Sequence, residues 1–220
     1  MRIQITFSKQ GALRYTGHLD LHKLWERAAR RAGLPLAYSQ GFHPQPKMSI
    51  AAALPLGFSS RCEVLDMRLE TDIPLDGLRD TLQATLPTGV QVLSIEQTDD
   101  RAPALQTQVV SAEYEVTAIE SDFGSDLKRR IDSVMESETI IRTRRGKEYD
   151  LRPLIESLTQ TPLLEGKGQK IVMKLTAKEG ATGRPEEVLD VLDIAFEETR
   201  VERTRLVFQS SSSKEEIASP

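Results

Sequence analysis

The chain has 220 residues, of which 39% are hydrophobic and 28% charged, and its formal net charge is −4. This length allows one large domain or two modest ones, each able to bury a core. Cys62 is the only cysteine, which excludes an internal disulfide, a four-cysteine zinc site and a self-contained iron–sulfur cluster. No apolar run approaches the length of a membrane span, and the alternating N-terminal residues are unlike a signal peptide. We therefore expect a cytoplasmic protein.

The first half of the chain predicts the element order β-α-β-β-α-β. Residues 2–8 alternate between apolar and polar types, as a half-buried strand does. After Gly17, an apolar stripe of helical period runs to Arg31, and Gly33 supplies a stop signal. Two strands, a helix and a short strand are predicted next, at residues 48–54, 63–69, 75–86 and 90–95. This order is typical of a ferredoxin-like unit.

The same order is predicted to recur after a linker at residues 98–110, which has little periodicity. The predicted elements of the second half are a strand, a helix, two strands, a helix and a strand, at residues 112–119, 126–135, 139–144, 170–177, 185–191 and 201–209. We therefore predict an α+β fold of two tandem ferredoxin-like domains, at residues 1–97 and 111–209. Residues 210–220 are polar and low in complexity, which predicts a disordered tail.

Positive charge and aromatic rings are concentrated in residues 1–60. Eight Lys and Arg residues stand there against Asp20 and Glu26, an excess of +6 in an acidic chain. The same segment holds all three histidines, with Tyr, Trp and Phe residues interleaved. A basic patch with aromatic rings is typical of a surface that binds a polyanion able to stack, such as RNA.

Within the predicted first helix, Arg27, Arg30 and Arg31 are spaced so that their guanidinium groups leave one face. They could hold successive phosphates, for which the bidentate geometry of arginine is suited. The alternative is a solvated face that pairs with local acids such as Glu26.

The segment from Tyr38 to Lys47 predicts a constrained loop, because Gly41 permits a positive φ and two prolines restrict their neighbours. Such a loop can hold side chains in a fixed array, and the alternative is a purely structural connection. We expect the binding residues to converge on one concave basic site. The predicted RNA- or anion-binding residues are Lys9, Arg14, His18, Arg27, Arg30, Arg31, Tyr38, Ser39, His43, Lys47 and Arg152.

His18 and His22 are four residues apart, a spacing that can place two imidazoles on one metal ion, with His43 as a third nitrogen. The favoured interpretation is that His18 or Asp20 caps the helix and His22 is exposed, so that the chain binds no metal. No Ser-His-Asp pattern, paired-carboxylate signature or nucleotide loop is recognisable. His18, Asp20 and His43 are therefore the candidates for any catalytic role.

Several blocks of the chain also resemble the radical-SAM-associated domain of unknown function, in its stand-alone form. These blocks are GHLD at 17–20, RAARRAGLPL at 27–36, YSQGFHPQPKMS at 38–49, LPLGFSS at 54–60, EVLD at 63–66 and YDLRPLI at 149–155. In that family the domain occurs alone or at the C-terminus of a cobalamin-binding radical SAM protein, and it is often encoded near an RNase G-type ribonuclease and ribosomal proteins. The resemblance therefore implies a cobalamin-binding radical SAM protein as partner. Any iron–sulfur cluster, S-adenosylmethionine and cobalamin would then belong to that partner, because this chain lacks the CxxxCxxC motif.

These observations favour an accessory protein that binds RNA or another polyanion and acts with a radical SAM enzyme in RNA modification or processing. They favour a protein without catalytic activity of its own. Two alternatives stay open. One is a metal-independent endoribonuclease resembling the CRISPR repeat-processing enzymes, which use a histidine near the first helix of tandem ferredoxin-like folds. The other is an adaptor whose basic face binds an acidic protein.

Overall fold

The computed structural model describes residues 1–119, 122–163 and 168–209. In these ranges, strands β1 to β11 span Arg2–Lys9, Met48–Ile50, Ser59–Arg68, Val90–Thr98, Val109–Ala118, Ile141–Arg144, Lys147–Asp150, Ile155–Pro162, Gln169–Lys178, Ala181–Thr182 and Thr199–Phe208. Helices α1 to α5 span His18–Arg31, Leu78–Gln83, Leu105–Gln108, Leu127–Glu136 and Pro185–Val191. The predicted α+β class is confirmed. The predicted tail lies outside the described residues.

Nine of the strands form one sheet that crosses from the first half of the chain to the second. Its order is β10-β9-β5-β11-β3-β1-β4, with β2 paired to β3 and β8 paired to β9. Each half thus has the same spatial order of four strands, β4-β1-β3-β2 and β11-β5-β9-β8. The halves join where β11 runs parallel to β3, with Arg203 opposite Ser60.

The second half departs from the predicted order of elements. Residues 139–144 were predicted as a strand of the main sheet, but β6 pairs only with β7 in a separate hairpin. The strand that occupies this place in the sheet is β8, which the sequence prediction missed. The reason is its composition, because Ile155 and Leu158 are its only buried residues and apolar alternation is weak. In the first half, β2 and α2 are shorter than predicted.

Two apolar cores lie under the sheet. Ile3, Ile5 and Phe7 alternate along β1 and pack with α1 in the first core, where the ring centroids of Phe7 and Trp25 are 4.8 Å apart. The second core packs β5 and β9 against α4 and α5, and it also contains Phe58 from the first half. Residues from both halves of the chain therefore contribute to the second core.

A buried ion pair fixes the junction of the two halves. The Arg203 guanidinium donates to both carboxylate oxygens of Glu63, at 2.7 and 2.6 Å, and the two side chains are 1% and 0% exposed. Arg203 also donates to the carbonyl oxygens of Ala52 and Ala53. All of these partners lie in the first half of the chain. A charged pair held by further hydrogen bonds can persist in a buried environment, whereas an unpaired charge there is strongly destabilising.

The predicted linker is held against the first half by Arg2, which is 1% exposed. Its guanidinium pairs with Asp66 and donates to the carbonyl oxygens of Asp99, Ala102 and Pro103. The linker also contains α3. The predicted domain boundaries stay a prediction.

Candidate functional site

A row of positive charge runs along the exposed side of α1. Lys23, Arg27 and Arg31 are four residues apart, so their side chains leave the helix in one line. All three are exposed, and none of them forms an ion pair with a described residue. We call these three residues the basic row.

The packing of α1 explains why the basic row faces water. Leu21, Trp25, Ala28 and Ala29 are the buried residues of the helix, and they turn toward the sheet. Their spacing of three and four residues leaves the opposite face in solvent. The basic row lies on that opposite face and along its border with α2.

The basic row forms one wall of an open groove with a volume of about 550 Å³. The other wall is the turn between α2 and β4, where the Thr85 hydroxyl lies 2.8 Å from the carbonyl oxygen of Leu82 and 3.2 Å from that of Ala28 on α1. The residues that line the groove are Thr16, Asp20, Lys23, Leu24, Arg27, Arg31, Thr85, Leu86 and Pro87. Three cations against one carboxylate leave the groove with a formal excess of +2. Its unpaired cations suit an anionic ligand.

Arg30 has different surroundings from its two predicted companions. Its guanidinium pairs with Glu26 at 2.8 Å, and its Nε donates to the Tyr38 hydroxyl at 3.1 Å. The same guanidinium lies over the Tyr38 ring, 5.8 Å from its centroid. Arg30 therefore matches the alternative interpretation, in which an arginine of the helix pairs with a local acid. Tyr38 is occupied by its contacts with Arg30.

The loop after Tyr38 is held by its own hydrogen bonds. The Ser39 hydroxyl accepts from the Gln45 amide at 2.9 Å, and the Ser39 amide donates to the Gln45 carbonyl oxygen at 2.8 Å. The tip is left open to solvent, where Phe42 and His43 are exposed, and Lys47 is exposed just after the loop closes. Ser39 thus closes the loop, while His43 and Lys47 remain available to a ligand beside α1.

Lys9 and Arg152 do not fit the predicted role as surface contacts for an anion. Lys9 is 0% exposed, and its ammonium donates to the carbonyl oxygen of Thr16 at 2.9 Å. Burial lowers the pKa of Lys9 below its ordinary value. Arg152 donates to the carbonyl oxygens of Ile155 and Met135, at 3.0 and 2.9 Å. Both side chains therefore stabilise the backbone around them.

Arg14 lies on the short 3₁₀ turn before α1. Its guanidinium is 4.7 Å from the centroid of the Tyr15 ring and donates to the Tyr15 hydroxyl at 2.9 Å. Tyr15 is 62% exposed. The pair forms a flat surface near the start of α1, outside the lining of the groove.

The histidines do not assemble into one set of ligands. His22 is half-buried, and its Nε2 is 3.2 Å from the carbonyl oxygen of Met48. His18 is the first residue of α1, and although part of it reaches solvent, desolvation by the surrounding protein and the nearby His22 lower its pKa. Among the described residues, no three His, Cys, Asp or Glu side chains are grouped so that they could hold a metal ion.

The predicted single cleft is wrong in its composition. Of the residues predicted to line it, only Arg27 and Arg31 belong to the groove. Of the candidates for catalysis, Asp20 lines it and His18 and His43 do not. Lys23 was missed as a site residue, although its four-residue spacing to Arg27 and Arg31 was a readable signal. Thr85 could not be found in this way, because it comes from a different element.

On α4 and along the middle of the sheet, several cations are paired with carboxylates. On α4, Lys128 pairs with Asp132 at 2.7 Å and Arg129 pairs with Asp126 at 3.2 Å. Charges along the middle of the sheet also pair, as in the contacts of Arg61 with Glu115 and Glu202. The basic row differs from these sets in lacking paired carboxylates.

The fold and the site together define an α+β protein with an exposed basic groove beside one helix. Residues 2–185 match the model of the family described as "Uncharacterized protein conserved in bacteria (DUF2344)". The chain belongs to this family. A comparison with curated proteins found no match.

One similar solved structure is the crystal structure of a Cbf5-Nop10-Gar1 complex, at 11% identity and a TM-score of 0.47. The similarity covers 93% of this chain and 48% of that chain, so the chain spans about half the length of its structural match. Similarity at this level carries no argument about function. In the part of the chain that the structure describes, no helix is long and apolar enough to cross a membrane.

Proposed function

We propose that this protein is a cytoplasmic RNA-binding accessory protein whose groove beside α1 holds the phosphate backbone of RNA. The observation that carries the proposal is the row formed by Lys23, Arg27 and Arg31, three exposed cations without ion-pair partners among the described residues. Successive members of the row are about 6 Å apart along the helix axis, at about 1.5 Å rise per residue. An extended strand of phosphates can follow such a row, and arginine binds phosphate with two parallel hydrogen bonds.

Contacts to bases are proposed for the exposed rings of Phe42 and Tyr15. Phe42 is fully exposed at the tip of the loop that also carries His43 and precedes Lys47. Tyr15 is exposed beneath the Arg14 guanidinium. Unpaired bases stack on aromatic rings and on arginine planes, which supports RNA rather than an acidic protein as the ligand.

We further infer that each half of the chain is a ferredoxin-like unit. The spatial strand orders β4-β1-β3-β2 and β11-β5-β9-β8 support this. In chain order, a helix also follows the first and the third of these four strands in each half. The hairpin β6–β7 is then an insertion in the second unit.

The partner in this proposal is a cobalamin-binding radical SAM protein that modifies or processes RNA. The support is the resemblance of the blocks at 17–20, 38–49 and 54–60 to the radical-SAM-associated domain. Cys62 is the only cysteine of this chain, so an iron–sulfur cluster, S-adenosylmethionine and cobalamin would be held by the partner. In this arrangement the present chain contributes affinity for the RNA.

Fluorescence anisotropy with a labelled single-stranded RNA, measured from about 50 to 200 mM salt, tests the proposal. The variant Arg27→Gln/Arg31→Gln should lower the affinity and reduce the slope of log K against log salt by about 1.4, at about 0.7 per lost phosphate contact. The matched control is Lys128→Gln/Arg129→Gln, which removes the same charge from exposed positions on α4 and should bind as the wild type does.

Equal binding by the wild type and the α1 variant would refute the proposed site. If the wild type binds no RNA, the proposal fails and the adaptor interpretation gains support. The length of the RNA after incubation is read on the same samples, because shortening that requires His18 would favour the endoribonuclease.

A further inference from the structure

The hairpin β6–β7 carries a second cluster of positive charge. Arg144, Arg145 and Lys147 lie at its tip, and Arg145 and Lys147 are exposed. None of the three forms an ion pair with a described residue. Neither the groove nor the family comparison assigns a role to this tip.

The turn at the tip contains an arginine, Arg145, in a backbone conformation that arginine rarely adopts. Arg145 and Gly146 connect the two strands with φ of 49° and 76°, so both central residues are left-handed, as in a type I′ turn. Asn-Gly is the preferred sequence for this turn, because Asn tolerates the left-handed conformation better than residues with long side chains. An arginine at this position strains the backbone, because residues with a full side chain rarely adopt the left-handed conformation.

The pair beside the turn is also unfavourable. Arg144 is directly opposite Lys147 in the antiparallel register. Like charges in directly opposed positions destabilise a hairpin. Strain at Arg145 and repulsion between Arg144 and Lys147 therefore act at the same place, and a polyanion bound at the tip would relieve the repulsion.

The base of the hairpin, in contrast, is firmly held and its cation is paired. Oδ1 of Asp150 accepts from the amides of Ile140 and Arg152, at 2.8 and 3.0 Å. Arg142, one residue pair above the base, donates to Glu187 of α5 at 2.9 Å and also pairs with Asp190. The hairpin thus holds a paired arginine near its base and unpaired cations at its tip.

We propose that the tip formed by Arg144, Arg145 and Lys147 is a second contact for the phosphate backbone of the RNA. This inference rests on the proposed function, because it takes RNA as the ligand of the chain. The fixed base holds the backbone of the tip in place, so the order gained on binding is confined to the three side chains. The tip binds phosphates without reading bases.

The test is the variant Arg144→Thr/Arg145→Asn in the full chain. It removes two charges, restores the favoured Asn-Gly turn and ends the repulsion with Lys147, so its melting temperature should equal or exceed that of the wild type. Its affinity for single-stranded RNA should fall, and the slope of log K against log salt should decrease by about 1.4. A tip that served only to build the hairpin could not give a more stable protein that binds RNA less well.

Two comparisons make the outcome decisive. The charge-retaining variant Arg144→Lys/Arg145→Lys should bind RNA nearly as the wild type does, and an equal loss in both variants would overturn the proposal. If Arg144→Thr/Arg145→Asn binds as the wild type while Arg27→Gln/Arg31→Gln binds weakly, the hairpin inference fails and the proposed function stands. If the wild type itself binds no RNA, both fail together.

Discussion

Arg30 and Arg31 are neighbours in the sequence with opposite surroundings. Arg30 is engaged by Glu26 and by Tyr38, whereas Arg31 lines the groove without an ion-pair partner among the described residues. An arginine already held by a carboxylate has less to gain from a phosphate, because the existing pair must break first. We therefore expect availability, more than the number of arginines on a helix, to decide which of them bind a ligand.

This contrast predicts different effects for two similar substitutions. Arg31→Ala should weaken binding to single-stranded RNA and lower the slope of log K against log salt by about 0.7. Arg30→Ala removes the same charge from the same helix and should change the slope much less. Anisotropy titrations of the two variants at several salt concentrations measure the difference. Equal effects would show that only the total charge of α1 matters.

Cys62 lies at the junction of the halves as a protonated thiol. Burial raises its pKa from 9.0 to about 11, and its Sγ is 3.5 Å from the carbonyl oxygen of Arg203. Because the native state holds this proton more tightly than the unfolded chain does, the contribution to stability is present below pH 9.0 and is lost as pH rises toward about 11. A thiol in this state is a poor nucleophile.

We therefore predict that iodoacetamide modifies Cys62 slowly in the native protein at pH 8 and much faster in denaturant. In the native protein, the rate should rise steeply only as the pH approaches about 11. Mass spectrometry of the alkylated protein over time gives both rates. Fast native modification at pH 8 would contradict the protonated, buried environment.

At the scale of elements, α1 and α4 occupy equivalent places in the two halves but differ in charge pairing. On α4, carboxylates lie three or four residues from Lys128 and Arg129 and neutralise them. On α1, Asp20 and Glu26 also lie three residues from Lys23, but Lys23, Arg27 and Arg31 form no ion pair with a described residue. The two helices share an amphipathic design, and only α1 has a face suited to an anion.

The hairpin β6–β7 depends on one carboxylate at its base. Asp150→Ala should destabilise the protein by about 1.5–3 kcal/mol, because the amides of Ile140 and Arg152 lose a charged acceptor. Asp150→Asn retains an acceptor oxygen and should be milder. Urea unfolding followed by circular dichroism measures both changes. A free energy of unfolding unchanged in Asp150→Ala would show that the hairpin is not anchored there.

The sequence predicted the elements whose apolar periodicity is strong and missed those that depend on distant contacts. β1 and α1 follow from the alternation of Ile3, Ile5 and Phe7 and from the helical stripe through Trp25. β8 has too few apolar residues to be recognised, and its identity as a strand depends on pairing with β9. The same holds for single residues, because only the fold shows that Lys9 is buried against the carbonyl oxygen of Thr16.

At the scale of the whole molecule, the two halves are coupled through the sheet and through Arg203. Its pair with Glu63 joins the last strand of the chain to β3, and Phe58 of the first half packs in the second core. A core shared in this way couples the unfolding of the two halves. We expect one cooperative transition from the full chain.

Arg203→Leu should destabilise the protein by about 3–5 kcal/mol, because it leaves the Glu63 carboxylate buried without its cation. The double variant Arg203→Leu/Glu63→Leu removes both charges and should recover much of this loss. Denaturant unfolding of the wild type, the two single variants and the double variant gives the coupling between the two residues. Additive effects would mean that the pair does not couple the halves.

The central claim is that the basic row on α1 is the surface that holds RNA. The most direct measurement is a titration of the ¹⁵N-labelled protein with single-stranded RNA, followed through the backbone amide resonances. Shifts that depend on the RNA concentration should be concentrated in α1, around Lys23, Arg27 and Arg31, and in the turn at Thr85, while α4 stays unchanged. Shifts confined to α4 or to the middle of the sheet, with α1 unaffected, would contradict the claim.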